Sequence, residues 1–229
     1  RGMLGRSADL YEWLGPERAG ADAPVAATVL LAAGRPGAAA RFGTAAPAPT
    51  SSAAAAQLLA AGLRESVGGD GRVAMNSLTR ALSVHGTGDR TRLLPDTPEA
   101  VTALLCLHSG ELVHAAAVLG RPSTVPSVRH RLLAAWTALI GGDLPVATAA
   151  ADELAPSATE QRDQLFLHGL RVGLARRGGD VGALTAAWTA AQGVVAAYSV
   201  DLLSLLPLGE LWLAAVRLGE ADRIAHLVA

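Results

Sequence analysis

The chain has 229 residues and a formal net charge of −1, and 51% of its residues are hydrophobic while 17% are charged. A chain of this length and hydrophobicity can bury a large core, either as one domain or as an array of repeats. All 19 basic residues are arginines, and they are scattered along the sequence. Because nucleic-acid-binding surfaces carry clustered basic residues, we expect no direct nucleic-acid contact by this chain.

In chain order, the sequence predicts short and medium helices separated by glycine or proline turns. The predicted helices cover residues 8–14, 24–33, 38–42, 53–67, 73–84, 98–107 and 111–119, a helix from 127 to a glycine pair at 141–142, and then 144–154, 156–176, 182–197 and a last helix after 201. Runs rich in β-branched and aromatic residues, which are typical of strands, are scarce. We also predict three longer loops at residues 44–52, 85–92 and 120–126, of which the last two could fold over a binding face.

One pattern of glycines recurs between the predicted helices. A helix rich in Leu and Ala runs into Gly141-Gly142, and Asp143 follows where the cap of a second helix belongs. Equivalent turns recur at intervals of 35, 41, 32, 37 and 40 residues, marked by Gly34, Gly69, Gly110, Gly142, Gly179 and Gly219. This spacing is typical of helical-hairpin repeats with variable loops, which stack because one hairpin cannot bury its apolar face alone.

The expected fold is therefore all-α. We predict a right-handed superhelix of stacked antiparallel helical hairpins of tetratricopeptide type, formed by residues 1–229 as a single domain. We interpret the chain as a fragment of a longer protein.

The hairpins resemble the helical-repeat region of large actinobacterial LuxR-type transcription regulators built on the plan of the maltose regulator. The likeness is carried by residues 205–215, Leu-Leu-Pro-Leu-Gly-Glu-Leu-Trp-Leu-Ala-Ala, and by residues 107–112, Leu-His-Ser-Gly-Glu-Leu. In that family a superhelical sensor binds a small inducer, often a sugar, and releases an ATP-binding switch module. The resemblance implies a cytoplasmic sensor domain that binds a disaccharide or another small polar inducer.

Parts of that family's architecture are absent from this sequence. It has no Gly-x-x-x-x-Gly-Lys-[Ser/Thr] phosphate loop, nor any lysine to build one, and no basic recognition helix. The resemblance therefore places ATP binding and DNA binding in other modules of the full-length protein.

Two acids inside the most hydrophobic stretch are the first candidates for ligand contacts. Asp201 and Glu210 could accept hydrogen bonds from a polar inducer. Both also have a structural interpretation, since Asp201 could cap the helix from Leu202 and Glu210 could interact with the helix dipole after Pro207.

The remaining candidates are aromatic or polar residues near the predicted groove. Tyr198, Trp212 and Trp136 could provide rings for stacking, although a lone Trp in a repeat helix is more often part of the core. Polar residues on otherwise apolar helices complete the predicted ligand site: Arg131, Gln164, His168, Glu111 and His108. A polar stripe of this kind is usually a solvated face, and the inner groove of a superhelix is solvated too.

Neither a metal site nor an enzyme is predicted. His108, Glu111 and His114 have a spacing that resembles metal motifs, but the turn at Gly110 places the two histidines on different helices. The sequence shows no nucleophile elbow, no cysteine with a matched histidine and no phosphate loop, so we expect no catalysis and no cofactor. The alternative function is a scaffold whose groove binds a peptide or a partner protein. A closed pocket lined by Trp and carboxylates would favour the metabolite, and an open apolar trough would favour the peptide.

Overall fold

The computed structural model describes residues 4–43, 50–84, 94–121 and 127–227, and the regular elements in these ranges are all helical. The predicted all-α class is confirmed. The helices are α1 (Leu4–Ala19), α2 (Ala23–Ala32), α3 (Pro36–Ala40), α4 (Ser51–Gly68), α5 (Gly71–Val84), α6 (Pro98–His108), α7 (Leu112–Leu119), α8 (Val128–Gly141), α9 (Leu144–Leu154), α10 (Gln161–Gly178), α11 (Val181–Ala196) and α12 (Leu205–Arg217). Short 3-10 turns cover Gly20–Asp22, Leu202–Ser204, Ala221–Arg223 and Ala225–Leu227. Across the described ranges, no helix has both the length and the apolar character needed to cross a lipid bilayer.

The predicted glycine turns end the helices as expected. Gly34, Gly110, Gly142, Gly179 and Gly219 have φ values of 76°, 77°, 87°, 75° and 73°, a region that residues with a Cβ rarely adopt. After α8, the N–H of Gly142 donates to the carbonyl of Leu139 at 3.2 Å, and the N–H of Asp143 donates to that of Ala138 at 2.9 Å. The same pair of bonds closes the turns at Gly34, Gly110 and Gly219, which satisfies carbonyls that the helix leaves unpaired. Gly69 differs, because its φ is −125°.

Several helices begin at a side-chain cap, including the cap predicted at Asp143. The carboxylate of Asp143 accepts from the N–H of Val146 at 3.2 Å, and that of Asp180 accepts from Ala183 at 3.0 Å. The hydroxyl of Thr50 accepts from the N–H of Ala53. The helix predicted over 156–176 begins later, at Gln161, because the preceding residue is extended. Most of the three predicted loops, residues 44–49, 85–92 and 122–126, lies outside the described residues.

The described residues form two compact units that divide between Leu105 and Cys106. In the first unit, α4 and α5 pack as a hairpin, and α2 contacts α1, α3 and α4. Every residue of α2 is buried, so this helix is the centre of that unit.

In the second unit, α8 with α9 and α10 with α11 form hairpins, and α10 lies between α8 and α12. The starts of α8 and α10 are joined by Arg129 and Asp163, whereas Leu139 near the end of α8 approaches Gly173 in α10. These two helices therefore run in the same direction, with α9 as the return. The indole of Trp136 in α8 donates to the carbonyl of Phe166 in α10 at 3.1 Å, and the two rings meet edge to face.

Two glycines one turn apart on α10 allow its neighbours to approach closely. A Cβ added to Gly169 would lie 2.7 Å from Cβ and 2.9 Å from Cα of Pro207 in α12. A Cβ added to Gly173 would lie 2.8 Å from Cδ2 of Leu139 in α8. The spacing between these three helices thus depends on the absence of two side chains.

We expect the substitution Gly169→Ala to destabilise the protein by about 1–3 kcal/mol, because α12 must shift its backbone to admit the methyl group. The matched control is Gly193→Ala in α11, where an added Cβ meets nothing within 4 Å. At that position the higher helix propensity of Ala should stabilise the protein by up to about 1 kcal/mol. Urea unfolding of both variants measures the difference, and equal effects of the two substitutions would contradict this account of the packing.

Candidate functional site

Helix α12 is apolar on nearly all sides, although only part of it is buried. Its buried face consists of Pro207, Leu208, Glu210, Leu211, Ala214 and Ala215. Its outer side carries Leu205, Leu213 and Val216, which are 43%, 51% and 54% exposed. An exposed apolar stripe on one helix is the kind of surface that binds a ligand or a partner.

A cleft of about 660 Å³ follows this helix within the second unit. Its volume lies in the range of ligand pockets, which is roughly 300–1,000 Å³. The cleft is lined by His108, Trp136, Ile140, Arg177, Val200, Leu205, Leu206, Leu208, Gly209, Glu210, Trp212, Leu213, Ile224 and Leu227. Three of these side chains, His108, Arg177 and Glu210, are polar, so an occupant would meet a predominantly hydrocarbon surface.

Four of the ten predicted ligand residues border this cleft: Trp136, His108, Glu210 and Trp212. Trp212 is half-buried and can present part of its ring to an occupant. Trp136 has no exposed surface, so it supports the cleft wall from beneath and cannot act as an open stacking platform.

Glu210 is held by two arginines at the end of α10. Its Oε2 accepts from Nε of Arg176 at 2.8 Å, and its Oε1 accepts from Nη2 of Arg176 at 3.0 Å. Arg177 approaches Oε1 with its Nη2 at 3.2 Å. This paired carboxylate raises the pKa of Arg176. Glu210 lies beyond the first turn of α12, so the ion pairs, more than the helix dipole, account for an acid at this buried position.

Asp201 and Tyr198 lie outside the cleft lining, in a buried polar cluster at the start of α10. Oδ2 of Asp201 accepts from Nη2 of Arg162 at 3.0 Å and from the hydroxyl of Tyr198 at 3.1 Å. The side chains of Arg162 and Asp201 are only 5% and 7% exposed. Burial and the neighbouring Asp201 raise the pKa of Tyr198, so the phenol stays protonated and donates. Oδ1 of Asp201 is buried and has no hydrogen-bond partner among the residues that the structure describes.

A second buried ion pair joins α10 to α8. Nε of Arg129 donates to Oδ1 of Asp163 at 2.7 Å, and the guanidinium lies over the ring of Phe166, 4.6 Å from its centroid. Arg162 and Asp163 are adjacent on α10. Arg162 pairs with Asp201, and Asp163 pairs with Arg129 of α8. Sequence reasoning missed this arrangement. The available signal was the arginine at the second position of both α8 and α10, 33 residues apart.

Three further predicted ligand residues, Arg131, Gln164 and His168, lie outside the cleft lining. Arg131 pairs with Glu153 at 2.5 Å, and Arg171 approaches Asp152 at 3.7 Å. Gln164 and His168 are half-buried on the same helix as Arg171. Burial and the charge of Arg171 lower the pKa of His168.

The residues around the Gly110 turn divide as predicted. His108 ends α6, whereas His114 lies in α7 and its Nδ1 is 3.2 Å from Oε2 of Glu111 on the exposed surface. The residues described here include no group of three or more His, Cys, Asp or Glu side chains able to hold a metal ion. Cys106 is buried, and its burial raises the pKa of the thiol.

Comparison with known proteins gives no match to this chain among protein families, curated proteins or solved structures. The site must therefore be interpreted from its own geometry.

We expect Asp201→Asn to destabilise the protein by about 3–5 kcal/mol, because it removes the negative charge that faces the buried guanidinium of Arg162. The double variant Arg162→Met with Asp201→Leu removes both charges and should cost less than Asp201→Asn alone. The control Asp152→Asn breaks an exposed contact and should change stability by less than about 1 kcal/mol. Chemical denaturation measures all three, and a small effect of Asp201→Asn would show that the pair contributes little.

The lowered pKa of His168 predicts a pH dependence of stability. The unfolded chain binds a proton at this residue near pH 6.5, whereas the folded chain does so only at lower pH, so the free energy of unfolding should fall as the pH drops below about 6.5. The substitution His168→Gln should reduce this slope, and adding His108→Gln should reduce it further, because burial lowers the pKa of His108 as well. Thermal unfolding between pH 5 and pH 8 provides the measurement.

Proposed function

We propose that this chain is the sensor module of a LuxR-type transcription regulator and that the cleft along α12 holds the regulator's ligand. The observation that carries the proposal is the cleft itself, an apolar surface of ligand-pocket volume with the half-buried ring of Trp212 on its wall. In this proposal the hairpins belong to a right-handed superhelix and the protein is cytoplasmic. The switch and DNA-binding modules belong to the same full-length protein.

The lining favours a ligand with an apolar body over a disaccharide. A sugar needs several side chains with open hydrogen-bonding positions, because its hydroxyls must replace their bonds to water. Here the one lining carboxylate, Glu210, already accepts three hydrogen bonds or ion-pair contacts from arginines. Burial of leucine and valine surface provides about 25 cal/mol per Å², and the lining is rich in these residues.

The sensor also needs a way to transmit binding. A ligand shifts an equilibrium only by the difference in its affinity for two arrangements of the protein. The cleft contacts residues of α8, α10 and α12 at once. An occupant that binds one spacing of these helices more tightly than another would favour that spacing, which is the signal we propose.

The alternative is a scaffold that binds an amphipathic helix of a partner protein. One observation favours it: the exposed apolar stripe of α12 extends beyond the cleft lining to Val216. A partner helix would bury the whole stripe, whereas a small molecule would leave Val216 exposed.

The substitution Leu213→Asn tests the ligand site, with the neutral dye N-phenyl-1-naphthylamine as the probe. The dye fluoresces in apolar surroundings, and we expect saturable binding that Leu213→Asn weakens about tenfold by removing apolar contact. Val216→Asn is the matched control, because Val216 lies on the same helix with similar exposure but outside the lining.

Three results distinguish the candidates. Loss of dye binding with Leu213→Asn alone supports the small-ligand site. Equal loss with both variants favours the extended surface of the scaffold. Unsaturable dye binding in the unmodified protein would contradict the proposal of a ligand cleft.

A further inference from the structure

Two arginines at the end of α10 bind Glu210 of α12, and one of them, Arg177, lines the cleft together with Glu210. Arg176 binds both carboxylate oxygens of Glu210, at 2.8 Å and 3.0 Å. Among the described residues, Arg177 forms an ion pair with Oε1 of Glu210 at 3.2 Å, which is longer than either contact of Arg176. The bidentate pair already neutralises Glu210, so this cluster has a net charge of +1 with Arg177 as the surplus cation.

Among the described lining residues, Arg177 is also the cation whose charge no lining acid balances once Arg176 has paired with Glu210. It lines the cleft directly, and the other lining residues with polar side chains are Glu210 and His108. The apolar surroundings of His108 lower its pKa, so the ring is predominantly neutral at pH 7. The remaining lining is hydrocarbon, indole or glycine. A charge beside such a surface is screened less than it would be in water, so it interacts more strongly with an opposite charge.

We propose that the ligand is an amphipathic carboxylate, with an apolar body along α12 and its carboxylate on Arg177. A guanidinium has five N–H donors in a planar fork that matches a carboxylate, and one contact to Glu210 leaves this capacity largely available for a ligand. The apolar body would contact Leu206, Leu213 and Trp212. This proposal rests on the ligand cleft proposed above and names the chemical class of its occupant.

The recognition step involves no covalent chemistry. The ligand carboxylate would compete with Glu210 for Arg177 while Arg176 keeps Glu210 paired. Because Arg176 remains paired with Glu210, the cleft presents no unpaired negative charge that would repel the ligand carboxylate.

Displacement of N-phenyl-1-naphthylamine from the full chain tests this proposal, with decanoate and 1-decanol as competitors. The two molecules have the same apolar chain, and only decanoate carries a charge at pH 7. We expect decanoate to bind more tightly, and Arg177→Gln to weaken decanoate about tenfold while the affinity for 1-decanol stays the same. The unchanged affinity for 1-decanol also shows that the variant keeps the cleft folded.

Arg171→Gln is the control for net charge. It removes one positive charge from the same helix, but Arg171 pairs with Asp152 and lies outside the cleft lining. The affinity for decanoate should remain within about twofold in this variant, since exposed charges at a distance are screened by salt.

The outcomes separate this proposal from the function on which it rests. If both competitors displace the dye equally and Arg177→Gln affects neither, the carboxylate proposal is wrong and the apolar cleft stands. The same conclusion follows if Arg171→Gln weakens decanoate as much as Arg177→Gln does. If neither competitor displaces the dye and the dye itself does not saturate, both proposals fail.

Discussion

The second unit depends on how closely α10 can approach its two neighbours. Gly169 contacts Pro207 of α12 and Gly173 contacts Leu139 of α8 at distances that leave no space for a methyl group. Since van der Waals packing requires contact between surfaces, these two absent side chains set the spacing of three helices. The left-handed Gly142 is needed first, because it turns the chain back into α9, and this return helix lets α8 and α10 lie side by side.

Two buried ion pairs fix the position of α10 along its neighbours in this unit. Arg129 with Asp163 joins the starts of α8 and α10, and Arg162 with Asp201 joins the start of α10 to the segment before α12; each pair is almost fully buried. Buried ion pairs add little net stability compared with apolar packing, but an unpaired buried charge is very unfavourable. These pairs therefore penalise any sliding of α10 along its neighbours, which would leave charges unpaired.

The cleft combines a long apolar surface with one surplus cation, and this combination connects the fold to the proposed sensor. Its residues come from α6, α8, α10 and α12, so an occupant would contact several hairpins at the same time. Because α10 packs on both α8 and α12, a change in helix spacing at the cleft would affect both of these neighbours. Arg176 also neutralises Glu210, the acid among the described lining residues, which leaves Arg177 as the group that gives the site its polarity.

The sequence by itself determined the helical class, most helix boundaries and the glycine turns, because capping and left-handed glycine are local properties of a few adjacent residues. It also indicated Glu210, Trp212 and His108 as cleft residues, since a polar or aromatic residue stands out in an apolar stretch. Tertiary structure alone decided that Trp136 is buried, that Asp201 pairs with Arg162, and that Arg177 reaches the cleft. These outcomes depend on residues about 30 to 40 positions apart meeting in space, and no local pattern specifies which arginine meets which acid.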